Sequence, residues 1–303
     1  MEPLIAHLVD TGVLRAEMLA HAQARAQREG VSLWEALHAL DSEFVYRALQ
    51  PKREFYYRQD AEQFKAAQQT GQPLNLRTYF PPNLQRNSRQ ESVENFVQQL
   101  MDWELAPVAW MEGRVWIVSE RPVHMPTALQ ARLLAGVRLH RLPAPPEQVA
   151  DYRQLLKTFL WDMTAMGMEG PLIRVANTIL QQAINERAST ILLEPREGKL
   201  AVRFLINGAW RDVLTLPTDD REWIDAIWID AVVLPDFATR GLLLRYKWMA
   251  EMRIQVEPID DFGRIPIRYE GRDYNLAVFT RVVDGQEWMY LHFVRPKPAF
   301  PRI

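Results

Sequence analysis

The chain has 303 residues, of which 48% are hydrophobic and 24% charged, as is typical of soluble globular proteins. Its 36 basic and 38 acidic residues leave a formal net charge of −2, without the basic excess of general nucleic-acid binders. The absence of cysteine excludes disulfides, iron–sulfur clusters and thiol nucleophiles. No apolar run reaches membrane-spanning length and no signal-peptide pattern opens the chain. We therefore expect a cytoplasmic protein that does not insert into a membrane.

The first 50 residues carry apolar side chains at helical spacing, beginning with Leu4 and Leu8. Gly12 is placed to end the first helix as its C′ residue, Gly30 breaks the next helical segment, and Ser32 is placed to act as the N-cap of the helix that follows. From about Asp60 to Arg89 the chain is rich in Gln, Asn, Arg and Pro. This composition predicts a long polar loop.

A second folded unit is predicted after this loop. It begins with an amphipathic helix from Val93 to Leu100, followed by a β-hairpin from Leu105 to Val118 that turns at Gly113. Helical patterns recur from about Thr127 to Leu134 and from Tyr152 to Met166. The unit is therefore predicted to mix helices and strands.

The C-terminal part alternates helical and strand patterns. A helix is predicted to begin at Pro171, because proline is favoured in the first turn of a helix. Residues 216–252 are predicted to be mostly helical. Strands are predicted at 190–194, 200–206, 210–214, 264–269, 274–282 and 288–294, with turns at Asn207-Gly208, Glu270-Gly271 and Asp284-Gly285. The whole chain is therefore expected to adopt an α+β fold.

The usual patterns of catalytic and metal sites are absent from the sequence. The Gly198-Lys199 pair is followed by Leu200 and lacks the upstream glycine of a phosphate-binding loop. The six histidines are scattered without metal-ligand spacing. The paired carboxylates Asp219-Asp220 and Asp260-Asp261 are interpreted as turn residues, or for the first pair as a helix N-cap. We therefore expect no catalytic residue, no cofactor and no metal.

Residues 171–217 resemble the second N-terminal domain of the ATPases that drive type II secretion and type IV pilus assembly. The family pattern Ala-Ser-Asp-Ile-His-x-Glu-Pro corresponds to residues 188–195, and Val-Arg-x-Arg-x-Asp-Gly corresponds to residues 202–208. Residues 242–254 are similar to the family's following helix, and residues 262–294 to its closing meander. The resemblance implies a PAS-like domain, an antiparallel sheet with packed helices.

The departures from the family pattern fall on polar positions. Thr190, Leu192, Leu205 and Asn207 stand where the family has Asp, His, Arg and Asp, which the resemblance implies face the nucleotide held by the motor domain. A leucine side chain cannot bind phosphate. The resemblance also places the start of a motor domain just where the chain ends, at Ile303. We therefore expect a non-enzymatic protein without a nucleotide-binding motor.

The first half of the chain is similar to the first N-terminal domain of the same family. Members that bind cyclic di-GMP open each repeat with Arg-Leu-Gly, whereas this chain has Pro3-Leu4-Ile5 and Ser32-Leu33-Trp34. The resemblance therefore argues against cyclic di-GMP binding. The predicted domains are a helical part at 1–58, a polar loop at 60–90, an αβ part at 91–155, a linker helix at 156–170, the second domain at 171–296 and a Pro-rich tail at 297–303.

These observations favour an adaptor or regulator of a type IV pilus or type II secretion machine that acts through protein contacts. The expected partner is the motor ATPase of such a machine or the cytoplasmic domain of an inner-membrane assembly protein. Alternatives are an N-terminal fragment of a full ATPase, a cyclic-dinucleotide sensor and an enzyme of unknown type. Candidate contact residues are the meander arginines and one tryptophan: Arg203, Arg264, Arg268, Arg272 and Trp34.

Overall fold

The structure is a computed structural model of the chain. It describes residues 3–76, 93–111, 114–120, 138–164, 171–196, 199–216, 238–253 and 257–294. The predicted helix at 127–134, residues 217–237 of the predicted helical stretch and the Pro-rich tail lie outside the described residues.

The described part of the chain consists of N-terminal helices, an αβ unit and a C-terminal unit, and it contains two sheets. The N-terminal helices are α1 (Pro3–Asp10), α2 (Ala16–Glu29), α3 (Leu33–Leu40) and α4 (Phe44–Thr70). The αβ unit comprises α5 (Val93–Asp102), β1 (Ala106–Met111), β2 (Arg114–Val118), β3 (Arg138–Arg141) and α6 (Pro146–Thr164). The C-terminal unit comprises α7 (Pro171–Asn185), β4 (Thr190–Arg196), β5 (Lys199–Ile206), β6 (Ala209–Leu216), α8 (Ala238–Met249), β7 (Asp261–Tyr269), β8 (Arg272–Val283) and β9 (Gln286–Phe293).

Helix α4 corrects the prediction of a loop from residue 60. The helix continues to Thr70, where Gly71 adopts a left-handed conformation with φ of 71° and donates its N–H to the carbonyl of Ala67. Phe64 and Ala67 are buried in the core of the αβ unit, so this last part of α4 has an apolar edge to pack. Gln63, Gln68 and Gln69 are good helix formers, so glutamine-rich composition alone does not distinguish this part of the helix from a polar loop.

The start of helix α3 confirms the N-cap predicted at Ser32. Ser32 Oγ accepts a hydrogen bond from the Glu35 N–H at 3.2 Å, and the Glu35 carboxylate accepts one from the Ser32 N–H at 3.1 Å. This capping box satisfies two backbone donors that the helix itself cannot satisfy. It also holds the Glu35 side chain near the start of α3.

The six-stranded sheet of the C-terminal unit is antiparallel, with strand order β6-β5-β4-β9-β8-β7. Its two meanders join in the middle, where β4 pairs with β9. At the predicted turns, Asn207, Glu270 and Asp284 have φ values of 51°, 48° and 50°, each followed by a glycine with positive φ. These left-handed pairs match the twist of antiparallel hairpins. The predicted α+β class, with an antiparallel sheet and packed helices, is confirmed.

Helices cover both faces of this sheet. The back face, which bears Ile191, Val202 and Leu291, packs against α7 and α8. The front face bears Phe262, Ala277 and Phe279 and packs against α1 to α4. The N-terminal helices therefore share a core with strands that are more than 200 residues away. The predicted division into domains at 155 and 171 stays a prediction.

The αβ unit has a core of its own around the second sheet. In this sheet β1 pairs antiparallel with β2, which confirms the predicted hairpin, and β2 pairs parallel with β3. Phe64 of α4 packs beside Trp116, with ring centroids 5.6 Å apart. The buried Tyr152 of α6 donates its hydroxyl to the Pro107 carbonyl at 2.6 Å, and Leu244 of α8 joins the same core. Helices α4 and α8 thus connect the αβ unit to the C-terminal unit.

Candidate partner-contact site

Trp34, predicted to lie in a partner-binding patch, lies in the core instead. Its side chain is only 2% exposed, and its ring centroid lies 6.4 Å from that of Phe44 and 4.8 Å from that of Phe262. Because Phe262 belongs to β7, the indole joins α3 to the front face of the sheet. This burial corrects the expectation that the indole is displayed to a partner.

The four predicted arginines do not form one surface. Alternation along the strands places Arg203, Arg264 and Arg268 on the front face, whereas Arg272 lies on the back face. Arg203 is on β5, and three strands separate it from β7, which carries Arg264 and Arg268. The structure therefore brings together only Arg264 and Arg268.

Arg203 is already paired within its own half of the sheet. Its guanidinium lies 2.8 Å from Asp212 Oδ1 and 3.2 Å from Glu194 Oε2, and it lies 5.5 Å from the centre of the Trp210 ring. Because Arg196 pairs with the same two carboxylates, Arg203 belongs to a network of two arginines and two acids. This arrangement is typical of cross-strand pairs that stabilise a sheet.

Arg264 and Arg268 line a shallow groove of about 370 Å³ at the β7 side of the sheet. Arg264 Nε donates to Asn275 Oδ1 at 3.1 Å, and its guanidinium lies 4.4 Å from the centre of the Tyr46 ring on α4. Arg268 is exposed. Among the described residues it makes no ion pair, although Asp273 is its register partner on β8.

The positions at which the chain departs from the family pattern cluster on the front face. Thr190 and Leu205 are register partners on β4 and β5, and Leu192 follows on the same side of β4. Thr190 and Leu192 are each 3% exposed. Asn207 lies apart from them, in the turn between β5 and β6. Thr190 and Leu192 are therefore closed off within the chain, whereas Leu205 is half-buried and Asn207 is exposed.

His292 on β9 connects Thr190 to helix α3. Its Nδ1 lies 3.0 Å from Thr190 Oγ1, and its Nε2 lies 3.7 Å from Glu35 Oε1. Burial by itself would raise the pKa of Glu35, but hydrogen bonding by His292 and by the Ser32 N–H holds that pKa below its usual value. A carboxylate, an imidazole and a hydroxyl in this order resemble a nucleophilic triad. The hydroxyl is buried, however, so the cluster holds α3 against the sheet.

His38 on α3 packs beside this cluster. Its ring centroid lies 5.4 Å from that of Phe279 and 6.1 Å from that of His292. Burial, with a smaller contribution from the charge of His292, lowers the pKa of His38 from 6.5 to about 4. The imidazole is therefore neutral near neutral pH.

Two buried ion pairs, the α4 ion-pair cluster, connect α4 to the C-terminal unit. Lys52 Nζ lies 2.5 Å from Asp261 Oδ1, and the Arg253 guanidinium lies 2.5 Å from Asp60 Oδ1. Burial lowers the pKa of Lys52 and raises that of Asp60, while the opposite charge of each partner counters the effect. The Phe262 N–H also donates to Asp261, at 2.8 Å.

Sequence reasoning missed the α4 ion-pair cluster. It interpreted Asp261 as a turn residue, whereas Asp261 begins β7 and is 1% exposed. The sequence does not indicate that Lys52 pairs with Asp261, because the two residues are 209 positions apart. The only local indication is the buried side of α4, on which Lys52 follows Ala48 by one turn.

The described residues contain no group of three or more His, Asp or Glu side chains placed to hold a metal ion. No helix of the described ranges has the length and apolar character needed to cross a membrane.

Sequence comparison shows that the chain is similar to one class of proteins, the E components of type II secretion systems. The chain is similar to type II secretion system protein E of Pseudomonas aeruginosa, with 34% identity over 119 residues, 39% of this chain and 20% of that protein. The corresponding protein of Xanthomonas campestris pv. campestris is 29% identical over 115 residues, 38% of this chain and 17% of that protein.

A second Pseudomonas aeruginosa protein, type II secretion system protein HxcR, is 33% identical over 110 residues, 36% of this chain and 20% of that protein. No protein-family model matches the chain. The chain thus matches about one fifth of the length of these curated relatives. The resemblance to secretion ATPases identified from the motifs is confirmed for this share of the chain.

Proposed function

We propose that the chain is a non-enzymatic adaptor or regulator of a type II secretion or type IV pilus machine and acts through protein–protein contacts. The similarity to type II secretion system E proteins supports the association with such a machine. The partner we propose is the motor ATPase of the machine or the cytoplasmic domain of an inner-membrane assembly protein.

The observation that carries this proposal is the burial of Thr190 and Leu192 on the front face of the six-stranded sheet. A nucleotide-facing surface needs exposed cationic or polar donors, because these bind phosphate. In this chain Leu192 is buried, and the Thr190 hydroxyl is already bound by His292. Helix α3 packs in front of this region through Glu35. These contacts support a scaffold that binds proteins rather than one that faces a nucleotide.

The test is direct binding between purified proteins. The chain would be immobilised and exposed to the secretion or pilus motor ATPase and to the inner-membrane cytoplasmic domain from its own host, in biolayer interferometry. We expect saturable binding to one of them with a Kd on the order of micromolar, as is typical of transient regulatory contacts. Absence of binding to both proteins would refute the proposal. Saturable binding of a fluorescent ATP analogue by the chain would also count against it.

A second candidate is that the chain is the N-terminal piece of a complete secretion ATPase. It is favoured by the observation that the matched stretch makes up only about one fifth of the relatives' length. The native reading frame distinguishes the two candidates. If the frame continues beyond Ile303 into a phosphate-binding loop, the adaptor proposal is wrong.

A further inference from the structure

We infer that the groove formed by Arg264 and Arg268 binds an extended acidic segment of a partner protein. This inference deepens the proposed function and rests on it, because it assigns the contact surface of the proposed adaptor. It also narrows the predicted set of arginines. Arg203 is paired within the sheet, and Arg272 lies on the back face.

The first support is that Arg264 is already held in place. Asn275 accepts a hydrogen bond from its Nε, and the Tyr46 ring lies beneath its guanidinium. A free surface arginine loses considerable side-chain entropy when it binds, whereas Arg264 has lost much of that freedom in the folded chain. No carboxylate of the described residues forms an ion pair with it. Arg264 is therefore a preorganised cation with capacity for an anionic partner.

The second support is the spacing of the two arginines. Both lie on the front face of β7, four residues apart, which corresponds to roughly 13 Å at about 3.3 Å per residue. In an extended peptide that lies alongside β7, residues i and i+4 are separated by the same distance as the two arginines. Carboxylates at these two positions would therefore face the two guanidiniums. Because Arg264 is held by Asn275 and Tyr46, the pair is poorly suited to closing on a single small anion.

The third support is the edge of the sheet beside the groove. The outward N–H of Arg264 donates to the carbonyl of Ala250 at the end of α8, at 3.1 Å. Two residues further along β7, the backbone of Pro266 faces the same outward side as that of Arg264, but proline has no N–H to donate. This edge cannot form a continuous ladder with an added strand. A partner must therefore be recognised by side chains, and the cationic side chains that line this groove are the half-buried Arg264 and the exposed Arg268.

Fluorescence anisotropy with a defined probe tests the groove itself. The probe is a fluorescein-labelled Glu-Thr-Pro-Thr-Glu peptide, compared with its Gln-Thr-Pro-Thr-Gln counterpart. We expect the glutamate peptide to bind at least about tenfold more tightly, since charge-assisted hydrogen bonds are lost in the counterpart. Arg268→Glu should weaken binding by about tenfold or more, and Arg264→Gln should also weaken it. Arg272→Glu, on the back face of the same hairpin, is the matched control and should change binding by less than about twofold.

Equal binding by wild type and Arg268→Glu would overturn the inference, as would an equal loss in Arg272→Glu. Displacement of the peptide by inorganic phosphate at about 10 mM would overturn it in favour of a small-anion site, because nonspecific screening at that concentration is weak.

Binding of wild type and Arg268→Glu to the secretion partner is measured as a separate experiment. If wild type and Arg268→Glu bind that partner equally, the groove is not the contact surface and the proposed function stands. If wild type binds the peptide but no secretion or pilus component, the proposed function is wrong and the acidic-segment site stands.

Discussion

Individual side chains decide how the N-terminal helices are attached to the sheet. Glu35 shows this best, because one carboxylate completes the capping box of α3 and also faces His292 on β9. Trp34, its neighbour, contacts Phe262 on β7. Two consecutive residues of a short helix thus contact two different strands. Their residue types could be read from the sequence, but their partners lie more than 200 positions further along the chain and could not.

The pH dependence of stability tests the environment of His38. Its pKa is about 4 in the folded chain, against 6.5 ordinarily, so the unfolded state binds the proton first as the pH falls. The contribution of His38 to the free energy of unfolding is therefore fully present above about pH 6.5. Between pH 6.5 and 4 this contribution should fall by roughly 2–3 kcal/mol. Urea unfolding of His38→Gln should show a correspondingly smaller decrease. His21→Gln, which removes an exposed histidine of α2, should keep the wild-type slope; equal slopes in all three proteins would contradict this assignment.

At the scale of helices and strands, features that depend on adjacent residues are predicted correctly from the sequence, whereas features that depend on contacts between distant residues are not. The hairpin turns, the start of α7 and the cap of α3 depend on a few adjacent residues, and all are as predicted. The continuation of α4 beyond residue 60 depends on the αβ core that receives Phe64. In the same way, the presence of arginines at the candidate site could be predicted. The face on which each arginine lies depends on strand register and could not be predicted from composition.

The junction between β7 and the end of α8 depends on Gly263. A Cβ added there would lie 2.2 Å from the Ala250 carbonyl oxygen, and neither backbone can yield easily. We expect Gly263→Ala to lower the free energy of unfolding by about 3 kcal/mol or more. Gly241→Ala is the matched control, because its Cβ would lie 2.5 Å from Leu172 Cδ1, which belongs to a side chain and can move, and alanine gains about 1 kcal/mol of helix propensity. Similar urea midpoints for the two variants would show that this contact is not tight.

At the scale of the whole molecule, α4 joins the described parts of the chain, because it packs into the core of the front face and into the core of the αβ unit. Its first turns pack on the front face, its middle carries the α4 ion-pair cluster and its end packs in the αβ unit. Because helices from the start of the chain cover strands from its end, we expect the described parts to unfold together.

Lys52→Met tests this connection. The change leaves Asp261 buried without its cation, so the free energy of unfolding should fall by about 3–5 kcal/mol. Arg47→Met removes a half-exposed ion pair to Asp41 from the same helix and should cost less than about 1 kcal/mol. Urea titrations followed by tryptophan fluorescence and by circular dichroism would measure both, with coincident transitions expected. Equal losses in the two variants would contradict a structural role for the buried pair.

The pairing of the front face with helices α1 to α3 also sets an order of events during synthesis. The apolar sides of these helices leave the ribosome long before Phe262 and Phe279, against which they pack. Roughly 220 residues separate Leu40 from Phe262, so at about 5–20 residues per second the delay is on the order of 10–40 seconds. During that interval the nascent helices lack the strands that complete the front core, so we expect chaperones that bind apolar segments to bind this part of the nascent chain.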